Sequence, residues 1–247
     1  MANLVPHLPW LEPNAALPDP SMAWPKGTEA PGLLAAGADL SVNTLHHAYK
    51  KGIFPWFSSG QPILWWSPDP RMVLHTGQFK VSKSLRKTLQ KFKQSPDCEI
   101  RIDTAFEQVI RLCAQQTRRG QSSTWIVPDM VQAYLQMHDA GWAHSVETWI
   151  NGQLAGGLYA VALGRAVFGE SMFTSTTDAS KIALAALVAF SKHNGVHTID
   201  CQQNTAHLAS LGASELPRSE FLAHIALAQH QKISCWQFDP LYWNTIL

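Results

Sequence analysis

Apolar positions along this chain recur with two different spacings, and the change from one to the other marks out its elements. Val81, Leu85, Leu89 and Phe92 stand three to four apart, which predicts an amphipathic helix opened by Ser82. Cys98–Ile102 reads as a strand, and Thr104-x-x-Glu107 as a capping box starting a helix that runs to about Gln115. Pro128 suits the first turn of another helix, which stops at Gly141. From Ala143 the period becomes two. His144–Trp149 is a predicted strand, Asn151-Gly152 a hairpin turn, Gln153–Leu163 the returning strand, and Arg165–Phe173 a third strand after Gly164. Asp178 or Thr177 is expected to cap a long helix whose apolar positions include Ile182, Leu184, Leu187, Val188 and Phe190. A strand over His197–Gln202, a helix from Asn204 to about Leu211, a short strand near Glu215 and a helix opened by Pro217 follow.

Upstream the pattern is weaker. Residues 1–30 hold six prolines and read as irregular, and a short helix then runs from an N-cap at Ser41 to a stop at Gly52. Residues 49–71 interleave Phe54, Trp56, Phe57, Trp65 and Trp66 with Pro55, Pro62, Pro68 and Pro70, which excludes a helix interior and predicts short strands and loops. A boundary near Pro70 divides the chain into a small N-terminal domain, residues 1–69, and a larger domain, residues 70–247. The expected class is α/β (α+β), with helices around one mixed sheet. The element order of the larger domain resembles the GNAT acyltransferase fold. The (Q/R)-x-x-G-x-(G/A) loop that cradles the coenzyme A pyrophosphate in that fold is missing, and Arg118-Arg119-Gly120-Gln121-Ser122-Ser123 does not supply it. An acyl donor other than an acyl-coenzyme A is therefore expected.

Composition narrows the class further. With 247 residues, 46% of them apolar, the chain can bury a sizeable core, yet no run approaches the ~20 apolar residues of a membrane span. The proline-broken N-terminus does not read as a secretory signal, so a cytoplasmic enzyme, expected to be a monomer, is the default. Four scattered cysteines suggest neither a zinc ribbon nor a disulfide framework. His193 and His197 stand four apart, but Asn194-Gly195 between them spells a turn, and no metal is expected. A net charge of +1 is uninformative, whereas its distribution is not. Lys80, Lys83, Arg86, Lys87, Lys91 and Lys93 fall in a stretch without an acid from Gln78 to Pro96. Their helix could follow a phosphate backbone or be an ordinary solvated surface.

Three groups of residues could carry chemistry. The aromatic rings of residues 54–66 could stack on flat ligands or simply fill a core. Ser171, Asp200 and His207 have the chain order of an α/β-hydrolase triad, but Gly169-Glu170-Ser171-Met172-Phe173 lacks the second glycine of the nucleophile elbow. Strand alternation puts Asp200 and Gln202 on one face, where the carboxylate could orient the amide as a unit, or where both could be a structural polar pair. Ile199 and Cys201 would then face the other way. Glu170, at the end of another strand, is a further candidate acid.

GIFPWF, WWSPDPR, TWI, HSVE, GGLYAVALG, GESMF, DASK, IDCQ and SLGA…PR occur in that order, and together they resemble the leucyl/phenylalanyl-tRNA–protein transferase family over about residues 31–225. The resemblance implies a GNAT-like catalytic domain and an enzyme of the N-degron pathway of protein degradation. Such an enzyme takes leucine or phenylalanine, and with them methionine, from aminoacyl-tRNA and joins it to proteins beginning with arginine or lysine. It implies Trp56 and Trp125 against the 3′-terminal adenosine, and Asp200, Gln202 and Glu170 at the reaction centre. Leu158, Met172, Leu184, Leu187 and Ile199 would form the donor side-chain pocket, with Lys83, Arg86, Lys87 and Lys91 along the acceptor stem. No cofactor is implied. The competing class is a noncatalytic RNA-binding module using the aromatic block and the basic helix alone.

Overall fold

The computed structural model describes residues 7–116 and 126–247. Its elements in chain order begin with β1 (Trp10–Leu11), β2 (Leu33–Gly37), α1 (Val42–Lys50), β3 (Phe54–Pro55), β4 (Leu64–Trp66) and β5 (Arg71–His75). They continue with α2 (Lys83–Gln94), β6 (Cys98–Ile102), α3 (Phe106–Gln115), α4 (Pro128–Asp139), β7 (Ala143–Ile150), β8 (Gln153–Leu163) and β9 (Ala166–Thr174). The rest are α5 (Ala179–His193), β10 (Thr198–Gln202), α6 (Ala206–Ser210), β11 (Ser214–Leu216) and α7 (Arg218–Ala228). The α/β class expected from the sequence is observed, but with two sheets among the described residues. One has four strands in the order β1-β2-β4-β3, and the other seven in the order β11-β5-β10-β9-β8-β7-β6.

Most of the local signals act as read. Ser41 accepts from the Thr44 N–H and Ser82 from the Leu85 N–H, each closing the N-terminus of its helix. Asn151 and Gly152 take φ of +51° and +70°, as a two-residue hairpin between β7 and β8 requires. Two predicted caps fail. The Thr104 hydroxyl, the Thr104 N–H and the Ala105 N–H all donate to Glu147 of the neighbouring strand β7, so a buried carboxylate anchors the turn that leads into α3 in place of a capping box with Glu107. Asp178, at φ +64°, makes no capping bond to α5 and instead accepts from Lys181 Nζ.

The seven-stranded sheet is covered on both faces. Along β8, Tyr159, Val161 and Leu163 join the core beneath α3, α4, α7 and the four-stranded sheet, while Leu158, Ala160 and Ala162 join the core beneath α2 and α5. Strands β9 and β10 are parallel, so the chain must cross over between them, and buried α5 makes that crossing. Its first turn lies directly on β8: a Cβ on Gly156 would sit 2.6 Å from the Ala179 Cβ and 2.8 Å from its carbonyl carbon. That contact holds Ser180 and the rest of α5 against the part of the sheet where the strands separate.

Candidate active site

The parallel pairing of β9 with β10 is short. Val167 pairs with Ile199 and Phe168 with Asp200, and beyond these residues the strands part. Each carries a bulge where they part. On β9, Tyr159 and Ala160 of β8 pair with Ser171 and Gly169, which leaves Glu170 as the extra residue. On β10, Asp200 and Gln202 pair with Val73 and Met72, which leaves Cys201 as the extra residue. Bulges re-aim side chains. Here Gln202 takes φ +56°, and its Nε2 donates to Glu170 Oε1 at 3.3 Å across the gap.

A cleft of about 580 Å³ opens at this gap. Leu158, Met172, Leu184, Leu187 and Ile199, drawn from four different elements, all line it, as do Trp56, Glu170 and Gln202. The aromatic block divides. Phe57, Trp65 and Trp66 are buried core, with Trp65 Nε1 donating to the Gly37 carbonyl at 3.0 Å. Phe54 and Trp56 reach the cleft wall, where the Trp66 Nε1–H fixes the Trp56 carbonyl at 2.7 Å. Trp125 lies outside the described residues. No residue of α2 lines the cleft. Its Lys83, Lys87 and Lys91 are exposed, whereas Arg86 is half-buried and donates to the Leu247 carbonyl oxygen at 2.7 Å.

Glu170 is the only carboxylate on the cleft wall among the described residues. The Tyr49 hydroxyl lies 2.8 Å from its Oε1, the Tyr134 hydroxyl 3.2 Å from its Oε2, and the two phenol oxygens are 2.5 Å apart. Three contacts among three groups need three hydrogens, and two phenols bring two; a neutral carboxyl brings the third by donating to one phenol, which donates to the other, which donates back to the carboxyl. Electrostatics point the same way. Burial pushes Glu170 up to about 8 and Asp200's charge adds to the rise, against the hydrogen bonds from Tyr49 and Tyr134 and the charge of Arg71. Both tyrosines are themselves pushed well above the ordinary phenol range by burial and by Glu170. Neither tyrosine was singled out from the sequence, because each looks like a core aromatic until the fold brings them together.

Asp200 and Gln202 do not share a face, because the bulge between them turns Gln202 to the cleft side with Ile199, while Asp200 stays where alternation puts it. Its carboxylate turns to the opposite face from Ile199 and is bound by Arg71, Nε to Oδ1 at 2.8 Å and Nη2 to Oδ2 at 2.7 Å, with both side chains buried. It reaches Gln202 through the backbone: the Gln202 N–H donates to Asp200 Oδ1 at 2.9 Å. The expected carboxylate-to-amide bond is therefore replaced by a carboxylate that holds the bulge, and the Gln202 amide is left to Glu170. The Ser171, Asp200, His207 triad is likewise not assembled. Ser171 and His207 border the cleft, but no hydrogen bond joins Asp200 to His207. Burial also pushes the Cys201 thiol upward, so it lines the cleft as a neutral group. Among the described residues no group of three or more His, Cys, Asp or Glu could hold a metal ion.

An apolar slot beside an amide, a raised carboxyl and a stackable indole can seat an uncharged side chain and orient a polar reacting centre at its edge. Comparison with known proteins decides the family. Residues 73–226 match the leucyl/phenylalanyl-tRNA protein transferase family, and residues 38–69 match its N-terminal domain. The leucyl/phenylalanyl-tRNA–protein transferase of Polaromonas sp. (strain JS666 / ATCC BAA-500) is 60% identical over 100% of this chain and 97% of its own length. That of Albidiferax ferrireducens is 59% identical with the same coverage. The chain belongs to the leucyl/phenylalanyl-tRNA–protein transferase family. It is thus an aminoacyltransferase, and the noncatalytic RNA-binding module is set aside. Among solved structures, a GCN5-related N-acetyltransferase from Kribbella flavida overlaps 69% of this chain and 59% of that chain at TM-score 0.34 and 9% identity. A conserved protein of unknown function from Bacteroides thetaiotaomicron overlaps 57% of this chain and 53% of that chain at TM-score 0.41 and 12% identity. Overlaps of this size carry no functional implication. Among the described residues no helix is long and apolar enough to cross a membrane.

Proposed function

We propose that this transferase moves leucine, phenylalanine or methionine from aminoacyl-tRNA to the α-amine of proteins that begin with arginine or lysine, in the cytoplasm, and so marks them for degradation through the N-degron pathway. The observation that carries the reading is the convergence of Leu158, Met172, Leu184, Leu187 and Ile199 on one cleft with Gln202 and Glu170 at its wall. Residues 70–247 act as the catalytic domain and residues 1–69 as a small domain that contributes Trp56. The donor side chain enters the apolar slot, and the 3′-terminal adenine stacks on Trp56. Lys83, Lys87 and Lys91, with a smaller part from Arg86, follow the acceptor-stem phosphates.

The donor is an ester on a ribose hydroxyl and the product is an amide, so the transfer runs downhill without a further energy source. The nucleophile is an α-amine whose ordinary pKa of ~7.7–8.0 leaves an appreciable neutral fraction near neutral pH. Catalysis then consists chiefly of positioning two substrates and stabilising the developing oxyanion. An amide takes no proton near neutral pH, so Gln202 orients the reacting groups, and the leaving ribose hydroxyl shuttles the proton. Glu170 receives the acceptor. A cationic residue placed beside it favours its charged form, so the neutral carboxyl of the free enzyme ionises as arginine or lysine binds.

The test charges tRNA with labelled leucine, phenylalanine, methionine or isoleucine and offers reporters beginning with arginine, lysine or glutamate. Label from the first three donors should pass to the arginine and lysine reporters only. Isoleucine should fail on shape. Transfer to the glutamate reporter at a comparable rate would overturn the assigned role of Glu170.

A further inference from the structure

We propose that Arg71 is a positioning residue for transfer, acting through Asp200 and the backbone of Gln202. The inference rests on the orienting role given to Gln202 above. Arg71 opens β5, is fully buried and does not line the cleft, so its charge is not presented to substrate. All three of its guanidinium nitrogens are committed. Nε and Nη2 clasp Asp200, and Nη1 donates to the Gly52 carbonyl at 3.0 Å. Its central carbon also lies over two rings, 4.8 Å from the Phe54 centroid and 4.6 Å from that of Phe221. A fork with fixed directions, bonded at every nitrogen and packed against two rings, has one orientation available to it.

Two walls of the cleft meet at this group. Gly52 leads directly into Phe54 and Trp56, so the bond to its carbonyl and the contact with the Phe54 face register the aromatic segment. On the other side, Asp200 Oδ1 accepts from both Arg71 Nε and the Gln202 N–H. Gln202 is a non-glycine residue at φ +56°, a backbone state that persists only where its surroundings over-determine it. The Asp200 bond supplies that restraint at the residue itself, and Arg71 fixes the carboxylate that makes it. Loss of the fork frees Asp200 to rotate, the bulge relaxes, and the Gln202 amide leaves the Glu170 side of the cleft. Asp200 is by this argument also a positioning residue, since its carboxylate faces Arg71 and not the cleft.

Lysine at position 71 keeps the charge but cannot make the bidentate clasp, and Phe221→Leu loosens the packing while leaving the ion pair in place. Single-turnover transfer is measured for Arg71→Lys, Phe221→Leu, Gln202→Ala and the two double variants with Gln202→Ala, together with KM for an arginine-initiated acceptor. Arg71→Lys should slow transfer at saturation by at least about tenfold, and Phe221→Leu by a few-fold, with acceptor KM nearly unchanged. In the Gln202→Ala background each should cost less than about threefold more, because the residue it acts through is gone. Effects that multiply in the double variants, or that fall on KM alone, would overturn the role of Arg71 while leaving that of Gln202 intact. A wild-type rate for Gln202→Ala by itself would overturn both. Should Arg71→Lys not fold, the Phe221→Leu cycle decides the same question.

Discussion

Glu170→Gln should make the protein more stable, and by an amount that grows with pH. A carboxyl held at about 8 against an ordinary 4.5 keeps its proton in the native state over an interval in which the unfolded chain has already lost it. The native state then binds more protons than the unfolded state, so stability falls as pH rises, by about 1.4 kcal/mol per pH unit, and levels off above about 8. Summed over the interval, the ionised form costs about 5 kcal/mol, an upper bound because Glu170 borders an open cleft and water screens part of its charge. Glutamine is neutral at every pH, and its NH₂ can replace the carboxyl hydrogen in the ring of contacts with Tyr49 and Tyr134. Urea unfolding followed by the fluorescence of the chain's ten tryptophans, from pH 5 to pH 9, measures the difference directly. The variant and wild type should nearly coincide at pH 5 and separate steadily up to about pH 8. A separation that is constant with pH, or wild type gaining on the variant as pH rises, would refute a neutral Glu170.

Trp56→Ala should weaken binding of charged tRNA by a factor of about 5 to 150, the range expected for one lost base stack of ~1–3 kcal/mol, in a filter-binding titration; an unchanged affinity removes Trp56 from the adenosine site. Reversing Lys83, Lys87 and Lys91 to glutamate should flatten the salt dependence of tRNA binding by up to about 0.9 in slope per lost phosphate contact, with thermal stability intact because Leu85, Leu89 and Phe92 carry the packing; an undiminished slope takes α2 out of the interface. Glu147→Ala should lower the melting temperature by about 6–12 °C, since it strands the buried Ser145 hydroxyl, the half-buried Trp149 indole and the N–H groups of Thr104 and Ala105 ahead of α3 at a cost of about 3 kcal/mol; calorimetry showing a shift below about 2 °C would contradict its anchoring role.

Local signals with a local cause were legible in the sequence. Gln153–Leu163 emerges with its limits intact because Asn151-Gly152 dictates the turn from which the strand runs back against β7. Strands lacking such punctuation were not found. Leu33–Gly37 and Arg71–His75 sit beside proline-rich segments and pair only with distant partners, β5 lying between β10 and β11. The site residues divide along the same line. Leu158, Met172, Leu184, Leu187 and Ile199 converge on one cleft. The placement of Glu170 and Gln202 at its wall depends on two bulges, which break the strict alternation that puts Asp200 and Gln202 on one face. Arg71 and Asp200 are 129 residues apart, and Thr104 and Glu147 are 43 apart, so neither pairing has a sequence pattern to announce it.

The central claim is that the donor side chain occupies the cleft between β9, β10 and α5. Met172 lies on its wall and is only partly buried, so a larger ring at that position fills the cleft without overpacking the core. The decisive measurement is single-turnover transfer of phenylalanine and of leucine by Met172→Trp, each onto an arginine-initiated peptide, with the affinity for uncharged tRNA determined in parallel. Phenylalanine transfer should fall by about tenfold or more relative to leucine transfer, while uncharged tRNA binds as to wild type. Phenylalanine and leucine transferred in the wild-type ratio would place the donor side chain somewhere other than this cleft.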